Sequence, residues 1–430
     1  MFPAPLFLVL LIVTTPALII FDGPIVYGLV TAAAALSVAI VALRIRAGEA
    51  GFLATVIRLV AIVAVVPAVW MLIQVLPLKT IGLAHPIWES AAAALGRPLA
   101  GSISIDPGDT LVSLARYLSA AAIAFVAAAA AVDRRRAEWI LIALTAATTL
   151  IAFMVLAADL GTFTLFSNGD DGLVGHAATD SAGLGVIIAA ASAFHTLERG
   201  KAQPPGQRRP WLTFVACLIA FAICTSAVIV GATSQAYFAV ACGVATLAIA
   251  VVTRRFSFGP WGYSAIISIA LVVAIAAIAL QPGNRIVDFT LAFAAHASAP
   301  LIALTQRVLT ETSWMGTGAG TFAAILPIYQ DIDELASGSV APTAAAAIAV
   351  EMGRPFLWAI LLAAIALVVT LLRGALLRRR DSFYSTAGAS CVVAGTLLAF
   401  GNAALLSTPV VIIVAAIVGI AIAQSKSQLN

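Results

Sequence analysis

Again and again this chain runs for about 20 apolar residues without a charge, the length with which a helix crosses the hydrocarbon of a bilayer. Such runs, bounded by charge, Pro or Gly, fall near 5–21, 24–43, 53–77, 110–132, 137–158, 179–197, 211–230, 232–253, 262–280, 344–372, 384–404 and 409–424. With 62% of its 430 residues hydrophobic and only 10% charged, against roughly 45–50% and about 25% in a soluble domain, the chain excludes a water-soluble globule. The expected fold is all-α, a polytopic membrane protein of about twelve transmembrane helices.

Basic residues sort these spans. With the N-terminus in the cytoplasm, all but six of the 23 Lys and Arg residues fall on the cytoplasmic side or at its helix ends, as the positive-inside rule requires. The six are Lys79, Arg97, Arg116, Arg285, Arg307 and Arg354. Of the 19 acidic residues only Glu49, Asp133, Glu138, Glu198 and Asp381 lie inside. Both termini are therefore expected in the cytoplasm, and the basic pI reflects orientation and not nucleic-acid binding. Met1 to Phe21 lacks a basic n-region and a cleavage site, which reads as a retained first helix. Cys217, Cys224, Cys242 and Cys391 sit inside apolar runs without CxxC spacing, as small buried hydrophobes.

Three parts follow: residues 1–280 with helices one to nine, 281–343 as a large external loop before the tenth helix, and 344–430 with the last three helices. The loop, with amphipathic stretches Ile286 to Ala297 and Pro300 to Thr312, is the one sizeable piece outside the membrane and the expected place for an external active site. The cytoplasmic loops are too short for a nucleotide-binding domain, which argues against donors such as nucleotide sugars or ATP.

An ionisable group in hydrocarbon costs from about 2.5 kcal/mol upward, so each one is a candidate for function. Arg116, in the outer half of the fourth span, either snorkels to headgroups or meets a lipid phosphate. Glu351 has Arg354 at i,i+3, a pair that either neutralises itself or serves catalysis. Arg307 precedes Trp314-Met315-Gly316-Thr317-Gly318-Ala319-Gly320-Thr321-Phe322. Gly316, Gly318 and Gly320 let backbone N–H groups approach an anion before a helix N-terminus, or simply allow tight packing. His176, beside Asp180 at the entrance to the sixth span, is a candidate base or an ordinary loop histidine. His85 and His296 receive no role. Asp331, Asp333 and Glu334 lack a histidine and rigid spacing, so no metal site and no cofactor is expected.

The segment from Arg307 to Gly353 resembles the signature region of the O-antigen ligase and polymerase superfamily, bacterial inner-membrane enzymes that act on undecaprenyl-pyrophosphate-linked glycans at the periplasmic face. An arginine precedes a G-x-G-x-G-T-F element, then Pro327-Ile328-Tyr329, and a span with Glu351-Met352-Gly353. Ser104-Ile105-Asp106-Pro107-Gly108-Asp109-Thr110, Asp133-Arg134-Arg135-Arg136 and the layout of spans around one large loop are similar too. The resemblance implies glycosyl transfer without nucleotide sugar or metal, cations holding the pyrophosphate while a histidine assists the acceptor hydroxyl. Arg307, Arg116 and Arg285 would then face pyrophosphate with the glycine loop, and Glu351 or His176 would handle the proton.

Departures from that pattern are specific. The family's histidine position falls on Pro342, its Ser-Arg in the eighth span appears as Ser234-Gln235, and its Asn-x-Asn before the sixth span as Ala177-Ala178-Thr179. Proline has no side-chain base, and loss of a general base typically costs about 10²- to 10⁴-fold. Three readings stand: a glycosyltransferase polymerising or ligating lipid-linked saccharides in surface polysaccharide biosynthesis; a degenerate relative that binds the same glycan or an assembly protein; and a transporter or flippase, against which charges are scarce in the middle of the spans.

Overall fold

The computed structural model describes residues 3–21, 23–44, 47–78, 82–161, 172–202, 209–256, 288–294, 297–330, 340–377 and 382–425. The expected ninth span at 262–280, Arg285, His296 and the acidic group Asp331, Asp333 and Glu334 lie outside these residues. Among the described residues the regular elements are helices, with one isolated bridge between Pro77 and Ser102.

In chain order the α-helices are α1 (Pro3–Val13), α2 (Thr15–Ile20), α3 (Pro24–Arg44), α4 (Ala47–Val75), α5 (Ile87–Leu95), α6 (Pro107–Ala131), α7 (Arg134–Asp159), α8 (Gly172–Ala202), α9 (Arg209–Gly231) and α10 (Ser234–Phe256). They continue with α11 (Ala299–Glu311), α12 (Phe322–Tyr329), α13 (Ala344–Glu351), α14 (Arg354–Leu377), α15 (Ser382–Gly401) and α16 (Thr408–Ser425). Nine of these are long and apolar enough to cross a membrane: α3, α6 to α10, and α14 to α16. The protein is a polytopic helical membrane protein.

Eight of those nine coincide with an expected run, the ninth, α14, covers part of one, and local chemistry sets their starts. Asp106 caps α6 by accepting the N–H groups of Gly108 and Asp109 at 2.8 and 3.1 Å, with Pro107 in the first turn, where its missing N–H is harmless. Asp133 caps α7 through Arg135 N–H at 3.0 Å. The other runs differ from expectation. Residues 5–21 form two short helices with a step at Thr14. Pro16 has no N–H for the turn before it, and the Thr15 hydroxyl donates to Ile12 O instead, at 2.7 Å. The run at 53–77 falls in α4 up to Val75, where the helix ends, and α4 contains Arg58 and Pro67. The tenth run, 344–372, is divided: α13 ends at Glu351 and α14 begins at Arg354.

Burial ranks the helices. In α8, 94% of the apolar window is buried, against 17% in α14. Leu184, Ile187 and Ile188 of α8 are fully enclosed, with α7, α9, α10 and α15 packed around them. By contrast α14 exposes Trp358, Leu362 and Ile365, one stripe at helical spacing, as a lipid-facing helix should. α16 packs between α6 and α15 through small residues such as Ala416 and Ala421, which let helix backbones approach where lipid gives no hydrophobic drive.

Candidate functional site: the glycine loop and the helix break

The break between α13 and α14 is where the glycine motif docks. Gly353 holds φ +94 and Gly316 φ +77, and the two loops touch backbone to backbone. A β-carbon on Gly316 would run into Glu351 O, and one on Gly353 into Trp314 O. Any other residue at either position would both strain the chain and force the loops apart.

This contact closes the C-terminal end of α13, whose last carbonyls have no partner within the helix. Thr317 N–H donates to Val350 O at 3.0 Å, Gly318 N–H to Glu351 O at 2.9 Å, and the Trp70 indole to Met352 O at 3.1 Å. Gln74, fully buried on α4, completes the clamp. Its amide nitrogen donates to Met315 O (3.1 Å) and Glu351 O (2.9 Å), while its side-chain oxygen accepts Ala319 N–H (3.2 Å). Gln74 O also accepts Ser104 N–H, and Thr317 O accepts Ile105 N–H, both at 2.9 Å. The segment before α6 is thereby sewn onto the glycine loop. Gly318 packs on Ser104 and Gly320 on Ser113 of α6 with no room for a β-carbon.

A carboxyl group does sit at this loop, and it belongs to the protein. The Glu351 carboxylate accepts N–H groups from Gly320 and from Phe322, the latter at 3.2 Å, at the N-terminal end of α12. Enclosure, with a smaller contribution from Asp109, outweighs the lowering by the two N–H groups and raises the Glu351 carboxyl to about 7. The remaining loop donors are also engaged, Gly316 N–H with Ser313 O and Thr321 N–H with Gly318 O. From 316 to 322 every backbone N–H has a protein acceptor. An external pyrophosphate would meet this backbone only if the loop released Glu351.

The helix break also redistributes the expected ion pair. Arg354 does not pair with Glu351, because Gly353 ends the helical i,i+3 relation. It binds Asp288 Oδ2 at 2.9 Å and Leu309 O at 3.1 Å, tying the start of α14 to the 288–311 segment. Phe289 stacks on Trp358 one turn further along, with ring centroids 5.8 Å apart.

The other candidates are placed as follows. Arg307 lies exposed on α11, its Nε 3.2 Å from Glu311 Oε1 and its guanidinium 5.8 Å from the Tyr329 ring centroid. α11, α12 and α13 pack on one another, so Arg307, the glycine loop and Glu351 belong to one assembly. On α6, Arg116 sits three residues beyond Ser113, which touches Gly320, hence about one helical turn from the loop. Exposed, it lays its guanidinium 3.7 Å over the Tyr27 ring of α3. No carboxylate pairs with Arg116 among the described residues. It stands at a pocket between α3, α6 and α16 whose walls are chiefly Val30, Ile123, Leu406, Val411 and Ile412. His176 is half-buried in the second turn of α8, one turn before Asp180 on the same face. Pro342 is buried, and the next residue, Thr343, caps α13 by accepting Ala346 N–H at 3.0 Å. Among the described residues no three His, Cys, Asp or Glu side chains gather as a metal site would need.

Sequence reasoning missed Gln74 and understated Asp180. The available signal was the same for both, a polar side chain inside or at the edge of an apolar run, but only packing reveals what it holds. No known protein family model matches this chain, and no curated protein is significantly similar to it.

Proposed function

We propose that the protein is a membrane glycosyltransferase that polymerises or ligates undecaprenyl-pyrophosphate-linked saccharides at the periplasmic face of the bacterial inner membrane, in surface polysaccharide biosynthesis. In this reading it has twelve spans and cytoplasmic termini, with the 281–343 loop outside. The observation that carries it is Arg116: a cation without a carboxylate partner among the described residues, steadied by Tyr27, lining a largely apolar pocket. A phosphate on a prenyl chain matches both features, charge-assisted hydrogen bonds to the guanidinium and hydrocarbon along the walls. Arg307, exposed on α11, supplies a second cation, and Arg285, outside the described residues, a third. His176 or Glu351 takes the acceptor proton.

A second reading has its own observation. Pro342 fills the position of the family's histidine with a buried ring, and Glu351 occupies the loop N–H groups itself. These favour a relative that binds the lipid-linked glycan, or a partner of polysaccharide assembly, without chemistry.

The test is glycan transfer from an undecaprenyl-pyrophosphate donor by the purified protein, comparing wild type with Arg116→Ala, Arg307→Ala and His176→Ala. Arg307 and Glu311 form an exposed pair worth under about 1 kcal/mol, so loss of transfer in Arg307→Ala reports on chemistry and not on folding. Donor binding without transfer in wild type moves the conclusion to the second reading. Movement of donor across proteoliposomes without new glycosidic bonds identifies a flippase instead.

A further inference from the structure

A separate polar cluster lies in the bundle where α8, α10 and α15 meet. Asp180, two turns into α8, is 2% exposed. Asn402, just past the end of α15, hydrogen-bonds its carboxylate. Asn402 Oδ1 already accepts Ala404 N–H at 2.8 Å, and Asn402 O accepts Ala344 N–H at 3.0 Å. Its amide NH2 is therefore the group left to face Asp180. The second carboxylate oxygen, Oδ2, is sealed from solvent and meets no donor among the described residues.

Its surroundings are electronegative as well. Gly401, the neighbour of Asn402, packs against Gln235 of α10, its β-carbon position 3.4 Å from Gln235 Cβ. Gln235 Oε1 is likewise buried without a donor. α15 ends here at Gly401, and the C-terminal end of a helix carries partial negative charge. A carboxylate oxygen, an amide oxygen and a helix C-terminus thus lie in one part of the bundle, with no basic side chain ion-paired to Asp180 or Gln235 among the described residues. Titratable groups near the cluster are His176, one turn earlier on α8, Tyr237 on α10, whose hydroxyl donates to Ile229 O, and Asp159 at the end of α7. α7 comes level with Thr179 at Val155, since both flank Gly231. Arg209, Arg254 and Arg255 lie at the far ends of α9 and α10.

Buried acceptors without donors are costly in a low-dielectric interior, and one small positive ion resolves all three at once. We propose that Asp180, Gln235 and the end of α15 form a binding site for a small monovalent cation, a proton or a sodium ion, seated between Asp180 Oδ2 and Gln235 Oε1. A single carboxylate is too little charge for a divalent ion. Through Asn402, which also holds the first N–H of α13, the bound ion fixes the start of the helix that carries Glu351. The site is independent of the glycosyltransferase reading.

The experiment uses the full-length protein in lipid nanodiscs. Melting is followed in sodium chloride and in choline chloride, and infrared spectra are recorded for wild type and Asp180→Asn. Bound sodium raises the melting temperature with sodium but not with choline, and Asp180→Asn loses that dependence. A bound proton appears as a protonated-carboxyl band in the wild-type minus Asp180→Asn difference spectrum, shifting in D2O at any sodium concentration. Gln235→Leu, which keeps the carboxyl, should weaken the sodium response several-fold or move the band. If Asp180→Asn does not fold, Gln235→Leu alone decides. The absence of both a sodium response and a band sensitive to Asp180 or Gln235 overturns the proposal.

Discussion

Gln74→Leu separates the clamp at the helix break from the rest of the fold. The replacement nearly conserves volume but removes three hydrogen bonds. Glu351 O keeps its bond from Gly318 N–H, so only two groups are orphaned. Ala319 N–H is fully enclosed, Ala319 being 2% exposed, and Met315 O is partly so. A buried group left without its partner costs about 1–3 kcal/mol, so the fully enclosed amide and the partly enclosed carbonyl together give about 2–4 kcal/mol. Because the loop is held on α4 and α6 by a small set of bonds centred on Gln74, that loss should appear as local opening before global unfolding. Each 1.4 kcal/mol is about tenfold in an opening equilibrium. Amide hydrogen exchange across residues 313–322 and 350–353 should therefore accelerate by about 30- to 1,000-fold, while peptides from α8 and α15 stay as in wild type. Exchange within about threefold of wild type at Ala319 would refute the clamp. Uniform acceleration everywhere would show instead that Gln74 supports the bundle and not the loop.

The remaining expectations concern the same junction. Gly353→Ala has both left-handed backbone and a collision with Trp314 O, and should lower thermal stability well beyond Gly96→Ala, where φ is +62 in open space and only about 1–2 kcal/mol of conformational strain applies. Equal melting shifts for the two would contradict the backbone contact. For Glu351, the unfolded carboxyl ionises near 4.5 and the folded one near 7. The folded protein binds the extra proton, so this stabilisation is complete below about pH 4.5, fades as pH rises to about 7 and is absent above. Denaturation followed across that window should show the decline in wild type and a flatter curve in Glu351→Gln. Arg354→Ala should loosen the 288–311 segment without unfolding the bundle, visible as protease cleavage there while α14 remains protected. An intact segment would show that the Asp288 pair contributes nothing to docking.

How far residues speak for themselves varies along the chain. Nine spans follow from apolar length alone, because in hydrocarbon a helix must satisfy its own backbone and its limits are written in the charges around it. Arg116 was legible for the same reason: an arginine in an apolar run is costly wherever the helix packs. The glycine motif was legible as a place of close approach, but not as to what approaches. Three glycines at alternate positions suit an external anion, a helix end or an internal carboxylate equally. Which one is present depends on Glu351, Gln74 and Ser104, residues 30 to more than 200 positions away.

Sequence by itself thus determined that the chain lives in a membrane, roughly where it crosses, and which few polar residues deserve inspection. Tertiary structure decided that the run at 344–372 is broken, that Glu351 and Arg354 face different partners, and that one oxygen each of Asp180 and Gln235 is enclosed in the bundle with no donor among the described residues. The physical reason is range. Hydropathy is local and adds along the chain, whereas hydrogen-bond satisfaction is a property of whichever groups the packed helices bring within about 3 Å, and no window of sequence contains both partners.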